Sequence, residues 1–265
     1  MTTDVDGERF AWREAGAGEL VVLLHGLGGS RTSWEPQLAS LSAGHRVAAW
    51  DLPGYGGSAP LPDGHVTFPA LAQAAADFIA ALQGGSAHVV GISMGAMIAQ
   101  YLAAWHPEYV RSLTMLSTSP AFGLDGTSAD EWQAARLAPL AAGEQPAAFA
   151  DRVLRAIAGP HIEEAALEGQ RKAMSRISGP ALQRSIECLV THDARPLLAG
   201  ITAPTLVLVG ELDKETPPAY ARLLADGLPH AWLEVVPGAG HLLNVEAADA
   251  VNEAIKRHIH HVEER

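Results

Sequence analysis

Short apolar segments, each closed by glycine or by polar residues, recur along most of the chain. The first reads "LVVLLHG" at residues 20–26, and its apolar positions are continuous instead of alternating with polar ones. Continuous runs of this kind are typical of strands buried on both faces of a parallel sheet. Five similar segments follow, and they read "HRVAAWD", "AHVVGI", "VRSLTMLS", "PTLVLVG" and "AWLEVVPG". The pattern therefore predicts a mostly parallel sheet.

The intervals between several of these segments have helical periodicity. They cover residues 68–83, 94–106, 218–227 and 247–261. Strand and helix in alternation predict a doubly wound α/β fold. Near the start, "TTDV" and "ERFAWREAG" flank Asp6-Gly7, a pair that is typical of a tight turn. We therefore expect two antiparallel strands to open the fold.

The alternation of strand and helix breaks once, between residues 121 and 196. The segments "SADEWQAARLAPLAA", "PAAFADRVLRAIAG", "EEAALEGQRKAMSRI" and "ALQRSIECLV" are helical in composition, and none of them reads as a strand. This stretch is too long for a loop, and active-site lids are often inserted in this way. We expect an α/β core formed by residues 1–120 and 197–265, with a helical cap formed by residues 121–196.

Composition narrows the classes of partner. Thirty acidic residues against 18 basic ones give a net charge of −12, and no local run of lysine or arginine interrupts this balance. Such a surface repels phosphate backbones and anionic lipids, so we expect neither nucleic acid nor membrane as a partner. The one cysteine permits no intrachain disulfide, and "MTTDVDGERF" lacks the apolar core of a signal peptide. We expect a cytoplasmic protein.

The segment "GISMGA" places Ser93 between two glycines, after a predicted strand and before a predicted helix. In that context Gly-x-Ser-x-Gly holds the serine on a strained turn, because a Cβ at either glycine would collide with the neighbouring strand or helix. The turn lifts the hydroxyl above the sheet, near a helix N-terminus that favours negative charge. The alternative is a glycine-rich turn with an incidental serine. The flanking strand and helix favour a nucleophile.

A serine hydroxyl becomes a nucleophile when a histidine removes its proton and an acid orients that histidine. His241 follows the last predicted strand, in "VVPGAGHLLNVE". Asp213 follows the preceding strand, in "LVLVGELDKETPP", with Glu211 and Glu215 beside it. Loops at the carboxyl ends of parallel strands meet at one edge of the sheet. We therefore expect Ser93, Asp213 and His241 to converge there as a catalytic triad.

The tetrahedral intermediate of acyl transfer also needs N–H donors for its oxyanion. The amide of Met94, directly after the nucleophile, is the expected first donor, and the amide of Leu27 in "LLHGLGGS" is the expected second. We expect His25 to brace this loop by hydrogen bonds. Two residues are candidates for contacting substrate, namely Trp132 in the predicted cap and His25 itself.

Five segments together resemble the α/β-hydrolase superfamily: "HGLGG", "DLPGYGGS", "GISMGA", "GELDKETPP" and "PGAGHLLNVE". They span nearly the whole predicted core, and the chain order Ser93, Asp213, His241 is that of the superfamily. Within it, the pattern looks most like the branch of 3-oxoadipate enol-lactonases, small carboxylesterases, meta-cleavage-product C–C hydrolases and cofactor-free haloperoxidases. The resemblance implies an eight-stranded sheet with helices on both faces, a helical cap over the site, and neither cofactor nor metal.

These residues predict a serine hydrolase that cleaves a small carboxylic ester or lactone through an acyl-enzyme on Ser93. Haloalkane dehalogenases and epoxide hydrolases of this fold carry aspartate at the position of Ser93, which argues against both. Two alternatives stay open: hydrolysis of a C–C bond in a meta-cleavage product, and a non-catalytic ligand receptor of the same fold. The sequence alone specifies neither the substrate nor the oligomeric state.

Overall fold

A single eight-stranded sheet forms the centre of the computed structural model, which describes residues 2–264. Its strands are β1 (Thr3–Asp6), β2 (Ala11–Ala15), β3 (Leu20–Leu24), β4 (Arg46–Trp50), β5 (Ala87–Ile92), β6 (Val110–Leu116), β7 (Thr205–Gly210) and β8 (Ala231–Val236). Their spatial order is β1-β2-β4-β3-β5-β6-β7-β8. Strands β3 to β8 are parallel, while β2 is antiparallel to both of its neighbours. The predicted mostly parallel eight-stranded sheet is confirmed.

Ten α-helices lie between the strands or follow the last of them within residues 2–264. They are α1 (Glu35–Leu41), α2 (Phe68–Ala81), α3 (Met94–Trp105), α4 (Ala129–Ala141), α5 (Pro146–Ile157), α6 (Glu164–Met174), α7 (Gly179–Leu189), α8 (Pro218–Gly227), α9 (Leu243–Glu246) and α10 (Ala248–Glu263). The four helical segments predicted in the core match α2, α3, α8 and α10 to within two residues at each end.

Helices cover both faces of the sheet, which explains the continuous apolar runs. In β3, the side chains of Val21 and Leu23 pack in one buried cluster with residues of α1, α9 and α10. Those of Leu20, Val22 and Leu24 pack in a second cluster with residues of α2, α3 and α8. Because successive side chains of a strand point to opposite faces, every position of β3 must be apolar.

The predicted opening hairpin is present, but its connection is longer than the tight turn expected at Asp6-Gly7. Asp6 is still part of β1 and pairs with Ala11, the first residue of β2. The connection therefore covers residues 7–10, and the amide of Gly7 closes it by donating to the carbonyl of Phe10 at 2.9 Å. The glycine occupies the start of this longer turn instead of the centre of a two-residue one.

The segment that we expected to form a cap, residues 121–196, lies between β6 and β7 and contains α4, α5, α6 and α7. We keep the name cap for these residues. An isolated antiparallel bridge joins Ala121 to Asp193 where the segment leaves and rejoins the core. Among residues 2–264, no helix is both long enough and apolar enough to cross a membrane.

Candidate active site

Ser93 sits on a strained turn between β5 and α3. Its backbone has φ 52° and ψ −121°, a conformation that is costly for a residue with a side chain. The flanking glycines make the turn possible. A Cβ on Gly91 would lie 2.6 Å from the amide nitrogen of Ala96, and one on Gly95 would lie 2.1 Å from the carbonyl oxygen of Leu24. Because both contacts are with backbone atoms, no change of side-chain rotamer relieves them.

Three loops at the carboxyl edge of the sheet bring Ser93, His241 and Asp213 together. The Ser93 Oγ lies 3.1 Å from Nε2 of His241, and Nδ1 of that ring lies 2.9 Å from Oδ2 and 3.1 Å from Oδ1 of Asp213. The serine follows β5, the aspartate follows β7, and the histidine follows β8. In this arrangement Nε2 of the imidazole can accept a hydrogen bond from the hydroxyl, and its Nδ1 can donate one to the carboxylate.

The Asp213 carboxylate is held by its own loop. Oδ1 accepts hydrogen bonds from the amides of Glu215 and Thr216, both at 2.9 Å, and Oδ2 accepts one from the Thr216 hydroxyl at 2.9 Å. Burial acts to raise the pKa of Asp213, but the His241 ring and the donors of Thr216 outweigh it and lower that pKa. The carboxylate is therefore ionised and fixed in orientation.

The His241 ring is buried in acidic surroundings. Burial by itself lowers the pKa of His241, since it disfavours the charged ring. The negative charge and hydrogen bond of Asp213, with the charges of Glu215 and Glu246, outweigh that effect and raise the pKa above 6.5. The site therefore stabilises the imidazolium that forms when a serine hydroxyl is deprotonated.

Glu246 ties the His241 loop to the cap, and the sequence analysis missed it. Its Oε2 accepts the N–H groups of Gly159 and Gly240 at 2.9 and 2.7 Å, and its Oε1 accepts that of Leu242 at 2.8 Å. Gly159 lies just beyond α5, and the amide of His241 itself donates to the carbonyl of Ile157 at the end of α5. The only signal in the sequence was an acid five residues after the histidine, beside a glycine-rich turn.

The loop after β3 packs against the serine. A Cβ on Gly26 would lie 3.1 Å from the Cβ of Ser93, so this loop is in close contact with the serine. Leu27, the next residue, lines the cavity above Ser93. Met94 is the first residue of α3, and the amides of a first helical turn have no partner within their own helix.

His25 braces this loop and is not among the described residues that line the cavity. Its contact with substrate stays a prediction, which this position does not favour. Its Nε2 accepts the amide of Leu52 at 3.0 Å, which leaves the proton on Nδ1, and Nδ1 donates to the carbonyl of Gly26 at 2.9 Å. The ring stacks on Tyr55 with centroids 5.5 Å apart. Burial lowers the pKa of His25, so the ring stays neutral. Both nitrogens are occupied by the loop that the ring supports.

A cavity of about 500 Å³ lies between Ser93 and the cap. Trp132 of α4 is one of the residues that line it, and its contact with substrate stays a prediction. The indole packs edge-on against Phe122, with centroids 5.5 Å apart, and the guanidinium of Arg136 lies 4.1 Å from its centroid. Within residues 2–264, no cluster of three or more His, Cys, Asp or Glu side chains is arranged to hold a metal ion.

Comparison with known proteins assigns the family. The family model for the alpha/beta hydrolase fold matches residues 19–248. The chain is 36% identical over 239 residues to the pimeloyl-[acyl-carrier protein] methyl ester esterase of Chromobacterium violaceum, covering 85% of this chain and 88% of that protein. The chain belongs to the alpha/beta hydrolase fold family, as its motifs predicted.

Solved structures agree with this assignment. A hydrolase from Pseudomonas aeruginosa superposes with a TM-score of 0.85 at 28% identity, covering 97% of this chain and 98% of that one. The enol-lactonase from Burkholderia xenovorans superposes with a TM-score of 0.84 at 25% identity, covering 97% of this chain and 99% of that one. The chain is thus an α/β hydrolase with esterase-like relatives.

Proposed function

We propose that this protein is a serine hydrolase that cleaves a small carboxylic ester or lactone through an acyl-enzyme on Ser93. One observation carries the proposal: the hydrogen-bonded chain from the Ser93 hydroxyl through His241 to Asp213, at 3.1 and 2.9 Å. Names of relatives, an esterase and an enol-lactonase among them, support the choice of an ester or lactone bond.

In the proposed mechanism Ser93 Oγ attacks the substrate carbonyl while its proton passes to Nε2 of His241. The tetrahedral intermediate collapses, the bond to the leaving oxygen breaks, and the imidazolium returns the proton to that oxygen. A water molecule then loses a proton to His241 and attacks the acyl carbonyl. As the bond between the acyl carbon and Ser93 Oγ breaks, the imidazolium returns that proton to Oγ, which releases the acid and restores the serine. Asp213 holds the ring in the required tautomer and stabilises its charged form.

The amides of Leu27 and Met94 are the proposed donors to the oxyanion. Support comes from their positions, one on the loop that packs against Ser93 and the other at the first residue of α3. The strained backbone at residue 93 points in the same direction, since strain of this kind is kept where function requires it. Removing one oxyanion donor typically costs about 3 kcal/mol of transition-state stabilisation.

The test combines turnover with covalent labelling. The wild-type protein is assayed with p-nitrophenyl acetate and butyrate, treated with a fluorophosphonate and weighed by intact-protein mass spectrometry. We expect turnover and one added phosphonyl group. Ser93→Ala should lose the label, and kcat should fall by about 10⁴-fold or more, the size of effect seen when the nucleophile of a serine hydrolase is removed. Ser175→Ala, at an exposed serine of the cap, is the control and should keep both.

The same experiment separates the alternatives. Turnover that survives in Ser93→Ala would overturn the proposal. Labelling at Ser93 without turnover of any ester or lactone would favour a ligand receptor. Cleavage of a vinylogous diketone faster than of every ester would favour a C–C hydrolase that uses the same three side chains.

A further inference from the structure

The charged side chains that line the cavity are either paired or in solvent. The Arg136 guanidinium lies 2.6 Å from the Glu215 carboxylate, and each of these side chains is 33% exposed. Arg152 is 64% exposed and lies 3.7 Å from the carboxylate of Glu144. These two arginines are the only Lys or Arg residues in the described lining, which also contains the exposed carboxylate of Asp125. Neither arginine therefore presents a buried, unpaired positive charge to an anionic substrate.

The inner wall of the cavity is apolar and belongs to the protein core. It is formed by side chains from α3 and from the inward faces of three cap helices. These side chains are buried, and they are Met97, Phe149, Met174, Leu182, Ile186 and Leu189. On α7, Leu182, Ile186 and Leu189 recur at helical spacing and so form one continuous face.

Several polar groups in the lining have protein partners. The Ser33 carbonyl accepts from the side-chain amides of Asn244 and Gln170 at 2.8 and 3.4 Å, and the Ser119 hydroxyl donates to the Ala121 carbonyl at 3.0 Å. In the part of the chain that the structure describes, none of the buried side-chain N and O atoms without a hydrogen bond belongs to the lining. A polar acyl chain would therefore lose its hydration against the buried apolar wall, whose side chains offer it no hydrogen-bond partner.

We infer that the substrate carries a neutral, apolar acyl group of medium length. In this inference the Arg136–Glu215 pair is a specificity determinant, because Glu215 neutralises Arg136 and the guanidinium is then not free to bind an anionic acyl chain. This inference rests on the proposed function and narrows it to neutral esters. A cavity of about 500 Å³ has room for about seventeen non-hydrogen atoms, if each takes the ~30 Å³ of a liquid water molecule. An acyl chain of roughly six to ten carbons fits, with space left for a small alcohol.

The first experiment measures kcat/KM for p-nitrophenyl esters from acetate to dodecanoate. We expect a rise of about fourfold per methylene until the cavity is full, because each methylene leaves water for an apolar wall. Ile186→Ala should reduce kcat/KM for octanoate by about tenfold and leave that for acetate within about twofold. Leu223→Ala, at an exposed leucine of α8, is the matched control and should change neither value. A profile that peaks at acetate would overturn the inference.

The second experiment compares two p-nitrophenyl esters of similar length, the nonanoate and the monoester of suberic acid, which ends in a carboxylate. The wild-type protein should prefer the neutral ester by about a hundredfold or more, since the buried carboxylate gains no counter-charge. In Glu215→Gln, Arg136 loses its partner, and the preference should narrow by about tenfold. The double variant Arg136→Gln/Glu215→Gln should restore the wild-type preference. Comparing two substrates within each variant cancels any change in the catalytic groups.

The outcomes separate this inference from the proposed function. Equal turnover of the two esters by the wild-type protein, with loss of both in Ser93→Ala, would overturn the inference and leave the serine hydrolase standing. A preference that Glu215→Gln does not narrow would overturn the role given to the ion pair. Absence of turnover with every ester and every lactone would instead refute the proposed function itself.

Discussion

Replacing Asp213 by asparagine should nearly abolish turnover by fixing His241 in the wrong tautomer. Oδ1 of Asp213 accepts from two backbone amides, so the amide oxygen of the new side chain must occupy that place. Its NH₂ group then takes the place of Oδ2, 2.9 Å from Nδ1 of His241. Nδ1 must now accept a hydrogen bond, and the ring proton moves to Nε2. Nε2 therefore points an N–H at Ser93 Oγ and has no lone pair to remove its proton.

The size of the effect follows from that geometry. The nucleophile keeps its place 3.1 Å from the ring, but its proton has no acceptor. The same substitution in the triad of another serine hydrolase lowers kcat by about 10⁴. At 1.36 kcal/mol per factor of ten, this amounts to about 5 kcal/mol added to the activation barrier. Substrate binding does not use the carboxylate, so KM should stay within a few-fold of the wild-type value.

The assay is a steady-state measurement of kcat and KM with one neutral ester, and thermal unfolding monitors the fold. Glu211→Gln is the matched control, because this acid stands on the same loop and its carboxylate accepts the N–H of Gly238, at 3.0 Å, instead of a group of the triad. A kcat of the asparagine variant within tenfold of wild type would refute the assignment of Asp213 as the orienting acid. An equal loss in the control variant would show that the loop, and not the carboxylate, is responsible.

Three further predictions concern proton binding and backbone packing. The acidic limb of the kcat/KM profile should fall at a pH above 6.5, because activity needs the neutral ring of His241 and the pKa of that ring is raised. Glu215→Gln removes one of the negative charges that raise this pKa, so it should move the limb to lower pH. A move to higher pH would contradict the cause given for the raised pKa. Gly95→Ala should prevent folding or destabilise the protein by several kcal/mol in chemical denaturation, since its Cβ would lie 2.1 Å from a backbone oxygen, whereas Gly169→Ala, in a helix with open space around it, should raise stability by up to about 1 kcal/mol. Gly159→Ala should lower kcat although it lies in the cap, because its Cβ would lie 2.4 Å from the carboxylate that holds the His241 loop; an unchanged kcat with unchanged stability would refute this coupling.

The parts of the fold that local sequence determines could be predicted. Each strand from β3 to β7 reads as one apolar run because helices cover both sheet faces, and the turn at Ser93 is marked by glycines whose Cβ atoms have no room. The positions of Asp213 and His241 could be predicted because parallel topology brings the carboxyl ends of β7 and β8 to the same edge as that of β5. The rule that the carboxyl ends of parallel strands meet at one edge of the sheet was enough to expect this convergence.

Other features depend on contacts between distant parts of the chain, and no local pattern specifies them. The short helix α1 has only seven residues, too few for a clear periodicity. His25 directly precedes the loop that packs against Ser93, so the sequence suggested contact with substrate. Its ring turns inward because the amide of Leu52, from another loop, donates to Nε2. The pairing of Arg136 with Glu215 joins residues 79 positions apart. The sequence therefore gives the number of charged residues in a segment, but it does not show which of them are neutralised by an ion pair.

The cap and the His241 loop are two segments of the chain that share one set of hydrogen bonds. Glu246 binds the amides of Gly159 and Gly240 with the same oxygen, and a Cβ on Gly240 would lie 2.3 Å from the amide of Gly159. The cap helix α5 therefore rests directly on the loop that carries the imidazole. Another cap helix, α4, meets the loop of Asp213 through the pair of Arg136 with Glu215, whose side chains are each 33% exposed. Exposed ion pairs contribute at most about 1 kcal/mol, whereas three backbone amides bound to one carboxylate contribute more than that together. The contacts of Glu246 therefore fix the cap to the His241 loop more strongly than the Arg136–Glu215 pair fixes it to the loop of Asp213.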